Sequence, residues 1–204
     1  MLRKVGQGEK FSKLVPAYPR VYNSWDCDRV LTLGLQVPDK ALWNKKLMEI
    51  NGRLGARKQV NIILVFVNSE DSSYIHALEE KWLGGKKNDL VLIVGATQYP
   101  KIDWVRIMSW SRSEDLKVEL RDGMMNLNTL DKRDEVLTLI EQQVDQKFVR
   151  TPMAQFEYLL ASWQPSTGVL VTLFVLGILG SVGMTIYFFQ ADPFETGDRR
   201  FRSW

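Results

Sequence analysis

Two adjacent carboxylates, Glu70 and Asp71, stand just after one apolar run, and a third, Asp89, opens the next. Carboxylate oxygens are what hard divalent cations take as ligands. One reading therefore makes Glu70, Asp71 and Asp89 a metal site for a cation such as calcium, which would then bridge to a phosphate that the carboxylates alone would repel. The simpler reading makes Glu70 and Asp71 helix-capping residues, stabilised by the positive end of the helix they precede, and Asp89 a turn residue. The simpler reading is preferred. The single histidine, His76, lies on a helical stretch without an identifiable partner, so it reads as an ordinary surface histidine rather than a general base. The single cysteine, Cys27, sits in Trp25-Asp26-Cys27-Asp28. Acidic neighbours disfavour a thiolate, which argues against a reactive thiol.

These counts exclude whole classes. One cysteine allows no internal disulfide and no cysteine-based metal site, and one histidine allows no site with two histidine ligands. No Ser stands in a Gly-x-Ser-x-Gly elbow and no glycine-rich phosphate loop is present; Gly84-Gly85-Lys86-Lys87 reads as a turn. The net charge of +3, with acids and bases interspersed, gives no nucleic-acid stripe. No catalytic set and no cofactor beyond the cation is expected, and the balance leans away from an enzyme.

The elements that must position these residues follow from periodicity. Residues 1–36 read as an N-terminal arm with a short strand at Arg29–Leu35. A helix opens at Val37-Pro38-Asp39, with Trp43, Leu47, Ile50 and Leu54 on one face; Gly52 and Gly55 are expected to end it. Val60–Val67 is a nearly continuous apolar run, and Asp89–Gly95, apolar after its first residue, is a second, as in strands covered on both faces. Between them lies a helix with Ile75, Leu78 and Trp82 inward, stopped by Gly84-Gly85. Strand, helix and strand make a βαβ unit, expected to be right-handed. Ile102–Trp110 reads as a strand nearer an edge and Lys117–Arg121 as a short fourth strand. A helix from Asp131 presents Leu137, Ile140, Val144 and Phe148. In an open sheet of this kind ligands favour the carboxyl ends of the strands, here Asn68–Asp71 and Gly95–Gln98. The fold class is α/β: a small three-layer domain, residues 37–150, with a mixed, partly parallel sheet flanked by helices.

The end of the chain is of another kind. Val169–Phe189 holds no charge and no proline, and about 20 apolar residues match a hydrocarbon core of roughly 30 Å. A transmembrane helix is expected over 168–190, preceded by an amphipathic juxtamembrane helix over 151–165 and followed by a polar tail over 191–204. Gly177 and Ser181 have the spacing that lets two such helices approach closely. Trp163 and Tyr187 are placed to sit at the two membrane interfaces. Met1–Lys10 is basic without an apolar run, which suits a domain left in the cytosol with the tail on the other side. Arg199, Arg200 and Arg202 in the tail favour the reverse arrangement, which stays open.

In its order of elements the chain resembles the TPM-domain family, which takes in thylakoid acid phosphatase-like proteins of photosystem II repair and related bacterial membrane proteins. Four features carry the resemblance: the amphipathic helix before an apolar strand ending in Asn68-Ser69; the helix running to Trp82-Leu83-Gly84; Lys87-Asn88-Asp89 leading into Leu90-Val91-Leu92-Ile93-Val94; and a helical end with one transmembrane segment. Members usually carry a glycine-containing turn after the third strand, where this chain has Ser109-Trp110-Ser111-Arg112-Ser113. The anchor, the core elements and the lack of a convincing catalytic set point to a single-pass membrane protein whose domain acts as an interaction, assembly or regulatory module. Its partners are then the lipid bilayer and a membrane protein or a second copy of itself, not nucleic acid. The alternative, which the resemblance implies for some relatives, is a divalent-cation-dependent, phosphatase-like hydrolase.

Overall fold

A computed structural model describes residues 9–11, 13–19, 28–156 and 165–191. It divides into two units, residues 1–152 and 153–204. Cys27, Trp163, the polar tail and most of the expected juxtamembrane helix lie outside the described residues; of that helix, Met153–Phe156 forms a 3-10 turn.

The first unit is a four-stranded sheet with helices on both faces, the expected three-layer α/β architecture. The elements are β1 (Val30–Leu33), α1 (Lys40–Lys58), β2 (Asn61–Val67), α2 (Tyr74–Lys81), β3 (Asp89–Gly95), β4 (Trp104–Ser109), α3 (Glu114–Leu127) and α4 (Arg133–Lys147). Strands run in the order β1-β2-β3-β4, the first three parallel and β4 antiparallel to β3.

Alternation along β2 and β3 explains their nearly continuous apolar sequences. Ile62, Leu64, Phe66, Leu90, Leu92 and Val94 point into one core with α1, α3 and α4. Ile63, Val65, Val67, Val91 and Ile93 point into a second core with α2. Since side chains alternate between faces, a strand buried on both sides must be apolar at every position. In the first core the rings of Trp43 and Phe66 meet edge to face at 5.3 Å.

The two crossovers differ in hand. β1, β2 and β3 step the same way across the sheet, while α1 and α2 cover opposite faces, so one crossover is right-handed and the other left-handed. Leu64, which points toward α1, donates its amide to the Arg29 carbonyl at the start of β1. For L-residues this places β1 to the right of β2 when the sheet is viewed from the α1 side with the strands rising. The β2–α2–β3 crossover is therefore right-handed, as expected of a βαβ unit, and β1–α1–β2 is the left-handed exception.

Two local expectations are corrected. Lys117–Arg121 is not a strand but the middle of α3: Ser113 Oγ accepts from the Leu116 amide, Glu114 and Asp115 occupy the first turn, and Leu116, Leu120 and Met124 are buried. Gly52 and Gly55 do not end α1, which runs on to Lys58 and closes at Gln59 in the left-handed conformation (φ 55°). The N-terminal arm contributes to the core. Phe11 and Val15 are buried in the second core, Lys81 Nζ donates to the Val15 carbonyl, and Trp82 Nε1 donates to the Pro16 carbonyl. The arm helps α2 cover its face of the sheet.

Gly95, the last residue of β3, is required by its cross-strand neighbour. A Cβ there would lie 2.0 Å from Cε2 of Trp104, whose indole packs over the glycine and donates from Nε1 to the Ser69 carbonyl at 2.8 Å. Gly95→Ala must therefore displace the indole and break that hydrogen bond. The expected cost is about 2 kcal/mol, measured as a lower urea midpoint, with near-ultraviolet dichroism reporting the displaced tryptophan.

The second unit contains α5 (Thr167–Ala191), 25 residues long and apolar enough to cross a membrane. Three of its hydroxyls are satisfied within the helix. Thr172 donates to the Gly168 carbonyl, Ser181 to Gly177 and Thr185 to Ser181, each four residues back. A segment in hydrocarbon has no water to bond its polar groups and must satisfy them internally.

Candidate functional site: a cationic cleft at the amino ends of the strands

The first residue of β3 organises the site. Asp89 is 1% exposed, and burying a carboxylate is costly unless it is hydrogen-bonded. Three donors converge on it: Asn61 Nδ2 at 2.9 Å, the Tyr18 hydroxyl at 2.9 Å and the Lys86 amide at 2.7 Å. Asn61, its in-register neighbour on β2, accepts at Oδ1 from Arg29 Nε at 3.0 Å. The chain Arg29–Asn61–Asp89 thus runs across the starts of three parallel strands. Lys86 Nζ lies 4.8 Å from the centre of the Tyr18 ring. One carboxylate therefore ties together the arm, β2, β3 and the turn after α2.

A cleft of about 620 Å³ opens beside this network, between the end of α1 and the Lys86–Asp89 turn. Four cationic side chains, Arg29, Lys86, Lys87 and Arg150, line it with the carboxamides of Asn51 and Asn61. Arg29 is 9% exposed, and among the described residues the buried Nε of Arg150 has no hydrogen-bond partner. Among the described residues, the only carboxylate lining the cleft is Asp89, whose oxygens already accept three bonds. The lining is thus net positive and rich in donors, which suits an anionic ligand.

The expected metal residues do not assemble. Asp89 starts β3 opposite Asn61, whereas Glu70 and Asp71 follow Val67 at the far end of β2. Seven residues of strand at about 3.3 Å each put roughly 20 Å between the two edges. One cation cannot bind all three, and among the described residues no group of three or more His, Cys, Asp or Glu gathers as a metal would require. Asp71 instead serves the turn before α2. Its Oδ1 accepts from the Ser73 amide at 2.9 Å, and that bond, with a smaller contribution from Lys10, holds its carboxyl below the usual range. Glu70 is exposed beside it. Across the same carboxyl edge, Asp103 accepts from the amide and the hydroxyl of Thr97 and is likewise lowered. The carboxyl edge expected to hold a ligand is thus one where carboxylates fasten turns. His76 is exposed, its Nδ1 3.6 Å from Glu79, while Trp43 and Trp82 are core residues as expected.

Tyr18, Arg29, Asn61, Lys86 and Arg150 did not stand out in the sequence as a group. Only Asp89 and its Lys87-Asn88 lead carried any signal.

No family model matches the chain, and no curated protein matches it. Among solved structures, the solution NMR structure of the N-terminal domain of cg2496 protein from Corynebacterium glutamicum is similar at a TM-score of 0.44 and 16% identity, covering 67% of this chain and 88% of that one.

Proposed function

We propose that the chain is a single-pass membrane protein whose α/β domain is an interaction or assembly module for a membrane partner. The observation that carries this reading is α5, a 25-residue apolar helix in which Thr172, Ser181 and Thr185 bond to the helix's own carbonyls. The cleft supports a binding role over an acid–base one, because its carboxylate, Asp89, already accepts three hydrogen bonds and the other charges among its described residues are cations. Solubilised in a mild detergent, the protein should come away with a stoichiometric partner or as a defined oligomer. A clean monomer without a partner ends the reading.

We place the domain on the cytosolic side. A cationic surface suits the cytoplasmic leaflet, where anionic lipids concentrate, although the tail arginines favour the reverse. Protease added from the cytosolic side of intact membranes should remove the domain; protection overturns the placement.

The competing reading is a divalent-cation-dependent, phosphatase-like hydrolase using the carboxylates at the other edge. Cation-dependent cleavage of a generic phosphate ester, lost in Glu70→Ala/Asp71→Ala, would establish it. Equal activity in both proteins would end it for these residues.

A further inference from the structure

The end of α2 carries an outlier. Gly84 N donates to the Glu79 carbonyl at 2.7 Å and Leu83 N to the Glu80 carbonyl at 3.3 Å. This is the Schellman closure, in which the residue after the cap takes the left-handed conformation and is usually glycine. Here that residue is Leu83, at φ 52°, followed by Gly84 and Gly85, each at φ 76°. A leucine is strained there, and packing does not compensate, for Leu83 is 78% exposed. Strain that the fold does not need points to a use outside the fold.

Its surroundings say what the use is. The Trp110 indole lies against Gly84, donating from Nε1 to its carbonyl at 2.8 Å, and is itself 41% exposed. Val149, 50% exposed, is joined to the same loop: Ser111 Oγ and the Arg112 amide donate to its carbonyl, and Thr151 Oγ1 donates to the Trp110 carbonyl. Three loops thus bring a leucine, a tryptophan and a valine to one edge of the domain. The Lys86–Asp89 turn continues directly from Leu83 into the cationic cleft, and Arg150 follows Val149. Residues 153–166, fourteen in all, separate this edge from α5. At most about 3.6 Å per residue, they reach roughly 50 Å fully extended.

We propose that this edge docks on the bilayer, with Leu83, Trp110 and Val149 entering the interface and the cleft beside them taking the phosphate-bearing headgroup of an anionic phospholipid. Apolar and tryptophan side chains flanked by Lys and Arg are what interfacial binding to anionic lipid requires. The inference rests on the membrane-anchored reading, which supplies the bilayer. The domain then does not hang free on its tether but lies on the membrane by its strand-start edge, leaving the carboxyl edge toward solution.

The test uses the full chain with Cys27→Ser and an environment-sensitive dye on Val149→Cys, reconstituted into vesicles of phosphatidylcholine with or without phosphatidylglycerol. With phosphatidylglycerol the dye emission should shift to the blue and be quenched by a doxyl lipid; with phosphatidylcholine alone it should stay aqueous. The same dye on Met125→Cys, in the last turn of α3 near the opposite edge, should stay aqueous in both. Each lysine removed, Lys86→Gln then Lys87→Gln, should lower the docked-to-free ratio roughly fivefold, as expected for a basic residue near an anionic surface. Leu83→Gly is the decisive variant: it relieves the strained cap, so thermal stability should rise while docking falls. A dye that stays aqueous in vesicles with which the protein floats overturns docking and leaves the anchor reading standing. Failure to float ends both. A shift that is equal without phosphatidylglycerol overturns the headgroup assignment, as does one reproduced in detergent by inorganic phosphate. A disulfide between two Val149→Cys copies in the vesicles shows a second copy on this face and overturns the lipid as occupant.

Discussion

Asn51→Ala should cost about 4 kcal/mol, among the largest losses expected from any polar residue in the domain. Asn51 is buried on the inner face of α1, where a carboxamide is out of place by composition. Its role comes from the unequal lengths of the strands. β1 begins at Val30, opposite Leu64, so β2 starts three residues before its neighbour on that side. The peptide groups of Ile62 face β1 where β1 has not yet begun. Asn51 fills the gap: Oδ1 accepts from the Ile62 amide at 2.7 Å and Nδ2 donates to the Ile62 carbonyl at 3.0 Å. The side chain acts as one residue of missing strand. Nδ2 also donates to the Leu47 carbonyl one turn back, which fixes its orientation. Alanine leaves a buried amide and a buried carbonyl unsatisfied, at about 1–3 kcal/mol each, and adds a small cavity. Urea unfolding in mild detergent, followed by tryptophan fluorescence, measures it. Asn51→Asp should fare little better, because it keeps the acceptor for Ile62 N but loses the donor and buries a charge. A loss below about 1 kcal/mol for Asn51→Ala would mean that water reaches the Ile62 peptide, contrary to its burial.

The same residue shows where sequence reading stops. The stripe Trp43, Leu47, Ile50 and Leu54 is legible because burial imposes the helical period, and Asn51 looks like an interruption beside it. Nothing local says that the strand just before this helix will be too short. The strands β2 and β3 are legible because two covered faces leave no position for a polar side chain. Lys117–Arg121 misleads because Lys-Val-Glu-Leu-Arg alternates like a strand, while the helical spacing of Leu116, Leu120 and Met124 shows only in a wider window that includes the Ser113 cap. The arm was opaque because Phe11, Val15 and Tyr18 lie among prolines and find their partners on α2 and β3, far along the chain. The cleft was opaque for a stronger reason. A parallel sheet has two ends, and the expectation that ligands prefer the carboxyl end directed attention to Glu70 and Asp71. The four cations at the other end come from before β1, from the turn after α2 and from beyond α4, so only the strand order puts them together.

Asp89→Ala should be as damaging, at about 4–5 kcal/mol, and Asp89→Asn should separate charge from shape. Alanine removes the acceptor for three donors at once. Hydrogen bonds to charged groups contribute roughly 1.5–3 kcal/mol each, and stranded donors in a buried site cost more than the bonds alone. Asparagine keeps one acceptor oxygen, but its NH2 must then face a donor, either the Lys86 amide and the Tyr18 hydroxyl on one side or Asn61 Nδ2 on the other. Rotating Asn61 to meet it exchanges the oxygen now bonded to Arg29 Nε for a donor. Two donors would then oppose each other, so the loss should be about 2 kcal/mol and should extend to the arm. Tyr18→Phe removes one donor to the carboxylate and should cost about 1.5–2 kcal/mol. Combined with Asp89→Asn it should cost less than the sum, since both act on one bond. Proteolysis gives the structural readout. The arm is held by the Tyr18–Asp89 bond and by its contacts with Trp82 and Lys81, so Asp89→Asn should expose the arm to cleavage while the sheet remains protected. Equal, small effects of Ala and Asn would show that the carboxylate is not the tie between arm and sheet. A large effect on the sheet without arm cleavage would move the role of Asp89 to the Lys86 turn, whose amide it also accepts.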